Sequence, residues 1–296
     1  MSVTAFISYL ALEKHYSPHT IKAYNNDIVE FGSYCAQNFD ISNIEKVDYG
    51  IIRSWIVQLV EAGMSNRSVN RKVASLKAYF KFLLKTESIS ASPLARHKAL
   101  KTSKKIEIPF SEAEMERIFK EVPFENDFEG TRDKLIIELL YTTGIRRSEL
   151  INLKLTDINL LESSIKVLGK RNKERIIPLL HSITELFQSY FQLRAELNIP
   201  KEEVFVFLSK NGHKIYETLV YRIINRYFSM VSSKLKRSPH ILRHTFATHL
   251  LNKGADMNAV KELLGHSSLA STQVYTHNSI AELKKVHSTA HPRSQE

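Results

Sequence analysis

The sequence predicts a mainly α chain with a small β-sheet, split into a helical N-terminal domain and a mixed α/β C-terminal domain. Three observations predict it. Apolar residues recur at helical spacing through most of the first 90 positions. That periodicity breaks over a basic stretch within residues 91–110. Beyond it, helical runs resume, interrupted by two short apolar segments on either side of Lys170–Lys173 that read as a β-hairpin.

The elements follow in order. Residues 2–14 place Val3, Phe6, Ile7 and Leu10 on one helical stripe. Ser17-Pro18 reads as a cap followed by proline at the first helical position, and the helix beyond carries Ile21, Tyr24, Ile28, Phe31 and Cys35 on one face. A third helix runs from Asp48 to Ala62 and stops at Gly63. A fourth, Asn66 to Thr86, has Val69, Val73, Leu76, Phe80 and Leu83 on its apolar stripe and shows Arg67, Arg71, Lys72 and Lys81 on the other face. Residues 1–90 therefore form one predicted domain and residues 91–110 a linker, with Arg96, Lys98, Lys101, Lys104 and Lys105 clustered and no acid among them.

The second predicted domain, 111–296, opens at Ser111-Glu-Ala-Glu114, a capping-box pattern. Arg132 to Tyr141 is helical and ends near Gly144. Ile165–Gly169 and Glu174–Pro178 form the hairpin. A helix over Ser182–Leu197, a short strand at Val204–Phe207 and a helix over Tyr216–Lys234 come next. Ser238-Pro239 starts another helix, and Asp256–Leu264 is a further one closed by Gly265.

Charge narrows the function. The 296 residues carry 42 Lys and Arg against 31 Asp and Glu, a net charge of +11 and a pI near 9.5. Residues 1–105 hold 15 basic and 8 acidic residues, so the excess concentrates in the smaller part. An anionic partner is favoured, nucleic acid first and a membrane surface second. Cys35 is the single cysteine, which excludes an intrachain disulfide and a cysteine metal site and fits a reducing cytoplasm. The N-terminus lacks the basic flank of a signal peptide, and no apolar run approaches the ~20 residues of a membrane span.

The chemistry concentrates in Pro239–His277. It holds His240 and Arg243 at i and i+3, which places them on one helical face near a helix N-terminus where an anion is favoured. Gly265-His266 and Tyr275 follow. Upstream, Arg146 stands just past a helix end with Arg147 as a rival, and Glu149 is three residues on, spaced to orient its guanidinium. Lys170 lies in the hairpin turn. A tyrosine phenol titrates near pH ~10, so Tyr275 needs positive surroundings to act as a nucleophile.

Taken together, the order Arg146, Lys170, His240-x-x-Arg243, His266, Tyr275 resembles the tyrosine recombinase (integrase) family. TGIRRSEL, GKRNKERIIPL, PHILRHTFATHLL, LLGHSSLASTQVYTH and the tail HPR look most like its XerC/XerD subgroup. Arg171 departs from the glycine expected after the hairpin lysine, which leaves Lys173 as a rival to Lys170.

The resemblance implies a helical core-binding (SAM-like) DNA-binding domain over 1–90 and a tyrosine-recombinase catalytic domain over 111–296. It makes Tyr275 the nucleophile, forming a 3′-phosphotyrosyl bond. Arg146 and Arg243 neutralise the scissile phosphate, with His266 as another donor. Lys170 is the general acid, His240 an acid–base aid, and Glu149 a supporting residue. The DNA-binding candidates are Arg67, Arg71, Lys72, Lys101, Lys104, Lys105, Arg171 and Lys173. No cofactor, divalent metal or ATP is implied in the chemical step. The implied partners are double-stranded DNA bearing a specific recombination site, a homo- or hetero-tetramer with a related recombinase, and a cell-division DNA translocase. The implied role is chromosome-dimer resolution in the cytoplasm, without a membrane.

Three alternatives stand beside this one. A phage or transposon integrase has the same residue set. A non-catalytic DNA-binding protein retains the fold. A metalloprotein would use His240, His244, His249, His266 and His277, although no HExxH acid accompanies the i, i+4 pair.

Overall fold

Four apolar stripes become four helices: α1 (Val3–Leu12), α2 (Pro18–Phe39), α3 (Tyr49–Glu61) and α4 (Asn66–Lys85). The computed structural model describes residues 3–103, 107–169, 174–197, 199, 203–234, 236–265 and 289–295. Ser17, Asp48 and Ser65 cap α2, α3 and α4 by accepting backbone N–H groups of the first turn, at Thr20, Ile51 and Ser68. Phe6, Phe31, Trp55, Tyr79 and Phe80 are fully buried where these helices meet. Cys35 is buried with them, and burial pushes its thiol up to about 11.

The chain divides into two units, Met1–Lys105 and Ile106–Glu296. The first part of the stretch read as a linker belongs to the N-terminal unit. Leu94 is buried in its core. The Asn70 side chain brackets Leu100, donating to its carbonyl at 2.8 Å and accepting its N–H at 2.9 Å. Asn66 donates to the Lys101 carbonyl at 2.8 Å. Two helix-face asparagines thus fasten a segment whose composition alone looks unstructured.

Lys72 is not on the exposed face of α4: it is buried and pairs with Asp27 at 3.3 Å and Glu30 at 2.5 Å. Arg71 forks the same Asp27 at 2.6 and 3.0 Å, and Ser75 donates to it at 2.7 Å. A buried carboxylate has to collect donors, and both cations are recruited to it. Asp27→Asn is therefore expected to destabilise the protein by about 3 kcal/mol, the cost of removing the buried carboxylate that Arg71, Lys72 and Ser75 share and leaving the buried lysine only the half-exposed Glu30 as a charge partner. Urea denaturation of the full chain checks this, and an unchanged midpoint would contradict it.

The second unit is built around α6 (Phe128–Thr143), which is buried on nearly every side from Leu135 to Thr143. It follows α5 (Glu112–Lys120), whose capping box forms as the sequence predicts, with Ser111 and Glu114 bonding reciprocally. After α6 come α7 (Arg147–Ile151), a three-stranded antiparallel sheet and α8 (His181–Ala195). The sheet order is β1 (Ile158–Asn159), β2 (Ser164–Leu168), β3 (Glu174–Pro178). In register, Ile165 faces Ile177 and Val167 faces Arg175, so Arg175 takes an inward position on an otherwise apolar face.

The expected strand at Val204–Phe207 is reduced to a bridge between Lys154 and Phe205, with Leu208 bridging Lys214 beyond it. Next, α9 covers Glu217–Phe228 and ends earlier than the periodicity implies. The chain past it is taken up elsewhere: Arg117 holds the Val231 carbonyl at 2.7 Å. Finally α10 (Pro239–Asn252) packs on α6, and α11 (Met257–Leu264) packs on α10. No described helix is long and apolar enough to cross a membrane.

Candidate active site

Asp256 caps α11 by accepting the N–H groups of Asn258 and Ala259, and Gly265, at φ 62°, stops it. A helix end leaves its last carbonyls unpaired and carries partial negative charge. Three arginines from three other elements collect there. Arg175 Nε donates to the Leu263 carbonyl at 2.9 Å, Arg243 Nη2 to Leu264 at 2.7 Å and Arg146 Nη2 to Gly265 at 3.2 Å.

Each arginine has a second anchor. Arg146 is the residue ahead of α7, and Glu149 reaches back to accept both its backbone N–H at 2.8 Å and its Nη1 at 2.7 Å. Arg175 forks the same carboxylate at 2.9 and 2.8 Å. Arg243 Nη1 donates to the Gly144 carbonyl at 2.5 Å. Gly144 closes α6 at φ 61°, and a Cβ there would meet the Phe246 ring at 2.3 Å, so only glycine permits this approach of α6 to α10.

The electrostatics follow from this packing. Arg243 is 8% exposed; burial, then the neighbouring Arg146 charge, lowers it to about 10, so it stays charged at neutral pH. Burial alone would raise the Glu149 carboxyl, but the Arg175 hydrogen bonds and charge, joined by those of Arg146, hold it below its ordinary value. Three guanidinium groups around one carboxylate leave a surplus of two positive charges in a partly buried recess. Arg146, with its side chain 27% exposed, brings that charge to the surface. Such a recess suits a phosphate, and suits still better a transition state that gains charge on phosphate oxygens.

His240 and Arg243, although three residues apart on α10, do not present their side chains together. Arg243 points into the interior, whereas the His240 side chain is 74% exposed and its Nε2 lies 3.3 Å from Glu107 Oε2. Glu107 also pairs with Lys236. Ser238 does not cap α10, and its buried Oγ has no partner among the described residues. His244 is exposed, while His249 is buried with both ring nitrogens engaged: Nδ1 lies 2.9 Å from the Tyr141 hydroxyl and Nε2 2.9 Å from the Phe110 carbonyl. The carbonyl requires an N–H at Nε2, so Nδ1 accepts from Tyr141. Burial lowers the pKa of this imidazole, and it cannot join a metal with His240 and His244 without breaking those bonds.

Lys170, Arg171, Lys173, His266 and Tyr275 lie outside the described residues, as do Lys104, Lys105 and His277. Among the remaining DNA-binding candidates, Arg67 and Lys101 are exposed, and Arg71 and Lys72 are committed to Asp27. Sequence reasoning passed over Arg175. Its signal was an arginine at an inward period-2 position, two residues before the buried Ile177.

Comparison with known proteins fits this arrangement. Residues 110–282 match the model described as the phage integrase family, and residues 3–87 match that of the phage integrase N-terminal SAM-like domain. The chain belongs to the phage integrase family, the tyrosine recombinases. As a member it is a site-specific DNA recombinase, an enzyme that cleaves and rejoins DNA strands.

Its similarity to integrase-family relatives spans nearly the whole chain. It is 36% identical to the tyrosine recombinase XerC of Chlorobaculum parvum over 97% of this chain and 93% of that one. It is 38% identical to the XerC of Thermodesulfovibrio yellowstonii over 99% and 97%. Two solved integrase-family structures share the fold. The XerH recombinase bound to palindromic difH substrate in a post-cleavage complex has a TM-score of 0.71, with 22% identity over 93% of this chain and 81% of that one. The Tn1549 transposon integrase in complex with transposon right end DNA has a TM-score of 0.70, with 22% identity over 96% and 99%.

Proposed function

We propose that this recombinase resolves chromosome dimers at cell division through a covalent bond between Tyr275 and a DNA 3′-phosphate. The phenol oxygen of Tyr275 attacks phosphorus as His240 takes its proton, the bond from phosphorus to the 5′-oxygen breaks, and Lys170 delivers a proton to the departing 5′-oxygen. A 5′-hydroxyl from the partner strand then attacks the phosphotyrosine and gives its proton to Lys170, the bond from phosphorus to tyrosine breaks, His240 returns a proton to the phenolate, and the strand is rejoined. Bond energy is kept in the intermediate, so the cycle needs no ATP.

The observation that carries this reading is the anchoring of Arg146 and Arg243 on one helix end, with His266 next in the chain after Gly265. Arg146 and Arg243 bind the non-bridging phosphate oxygens and His266 adds a donor. Glu149 holds Arg146 in place. His240 assists proton transfer at the tyrosine. Arg67, Lys101, Lys104 and Lys105 bind duplex DNA, and Arg171 and Lys173 add to that contact. Four protomers, of this chain alone or with a related recombinase, act on two sites in the cytoplasm, and a DNA translocase of the division machinery is the regulating partner. The dimer-resolution role rests on the likeness to relatives named XerC.

The test is covalent trapping on nicked duplexes made from chromosomal fragments, followed by peptide mapping and sequencing of the trapped DNA. One adduct is expected, at Tyr275, on a 3′-phosphate, with a free 5′-hydroxyl and a single chromosomal locus. An adduct at another residue, or none, would overturn the mechanism. Recovery of mobile-element ends in place of a chromosomal locus would overturn the dimer-resolution role and favour an integrase of a mobile element.

A further inference from the structure

Arg175 is buried behind the phosphate recess, and every guanidinium nitrogen it has is engaged. Its side chain is 4% exposed and that of Glu149 is 3%. All three guanidinium nitrogens donate: Nε to the Leu263 carbonyl, Nη1 and Nη2 to the two oxygens of Glu149. The same carboxylate receives Arg146 through its side chain and its backbone. Arg175 therefore joins three parts that are distant in the chain: β3, the start of α7 and the end of α11.

Its position also sets the turn before His266. A Cβ on Gly265 would lie 3.0 Å from Arg175 Nη1, so the guanidinium is packed directly against that backbone. Arg146 donates to the carbonyl of this same Gly265. β3 in turn is the strand that begins directly after Lys170–Lys173 in the chain.

We propose that Arg175 is a positioning residue for strand cleavage. By holding Glu149 and the last turn of α11 at once, it aims the Arg146 guanidinium at the scissile phosphate. The inference rests on the reading of Arg146 and Arg243 as the phosphate clamp. The planar fork of arginine is required, because a lysine has one nitrogen and cannot serve both carboxylate oxygens and the Leu263 carbonyl in fixed geometry. A displacement of the order of 1 Å in a reacting group costs about a hundredfold in rate.

The experiment measures single-turnover cleavage at saturating DNA for wild type, Arg175→Lys and Arg175→Met. Two substrates are used, one natural and one with sulfur in place of the bridging 5′-oxygen. Sulfur leaves without a proton, so it bypasses the general acid and leaves the need for the clamp intact. The exponential rate constant is read, not the amplitude, so a partly unfolded sample still reports on its folded fraction.

We expect DNA affinity within threefold of wild type and cleavage slower by roughly 30- to 100-fold on both substrates. In Glu149→Gln, adding Arg175→Met should cost much less than it does in the wild-type background, since the two residues share one pair and only the Leu263 anchor is left to lose. Cleavage at the wild-type rate would overturn the proposal. So would a loss that sulfur restores, because Arg175 would then act on the hairpin acid. If wild type itself forms no adduct, the clamp reading fails and this inference with it. A wild-type adduct with unaffected variants sinks this inference alone.

Discussion

Arg243→Ala is expected to slow strand cleavage by about a hundred- to thousandfold, the usual cost of removing one preorganised donor from a site where negative charge develops. Arg243 is buried, anchored to the Gly144 and Leu264 carbonyls, and needs no reorganisation when the phosphate gains charge. Its charge survives burial because its pKa, although lowered, remains at about 10. The alanine variant also strands two buried carbonyls, so a lower thermal midpoint accompanies the slower rate. A methylphosphonate at the scissile position separates the two effects. It carries no net charge, so a variant lacking a guanidinium should close at least tenfold of its gap to wild type on that substrate. An equal gap on both substrates would mean that Arg243 acts only through the fold.

Glu149→Gln is expected to destabilise the protein by about 3 kcal/mol, because it leaves Arg175 buried with no charge partner. For a unit of this size that is a fall of roughly 6–12 °C in thermal midpoint. The pH dependence fixes the sign. The folded-state carboxyl titrates below its ordinary 4.5. Its contribution is therefore fully present above that value and is lost as the pH falls through the lower folded value. The difference in midpoint between wild type and Glu149→Gln should be constant from neutral pH down to about 5 and should shrink in stronger acid. A difference that persists unchanged at the acid end would show that the ion pair is not its source.

Much of the fold was legible because local rules wrote it. The caps at Ser17, Asp48 and Ser111, the stop at Gly144 and the hairpin flanking Lys170–Lys173 each depend on residues within a few positions of one another. α9 stopped short of its periodicity because Arg117, more than a hundred positions earlier in the chain, holds the segment beyond it. Val204–Phe207 formed only a bridge because its partner, Lys154, comes from a distant turn and not from a neighbouring strand. The linker reading at 91–110 met the same limit. Nothing in that composition states that Asn66 and Asn70 will hold Leu100 and Lys101.

The candidate site divides in the same way. Residue type, order and spacing by themselves pointed to the family, which the comparisons show, and placed Glu149 where it could reach Arg146, as it does. Only the tertiary structure decided how each charge is used. Lys72 and Arg71 look like groove-facing cations in a helical wheel, but a buried Asp27 claims both. His240 and Arg243 share a helical repeat, yet one faces solvent and the other the core. Arg175 is one polar letter in a strand until folding sets it against Glu149 and the end of α11, 26 and 88 residues away. The physical reason is desolvation: a sequence lists charges, but the partners they must find when water is removed come from parts of the chain that only the fold brings together.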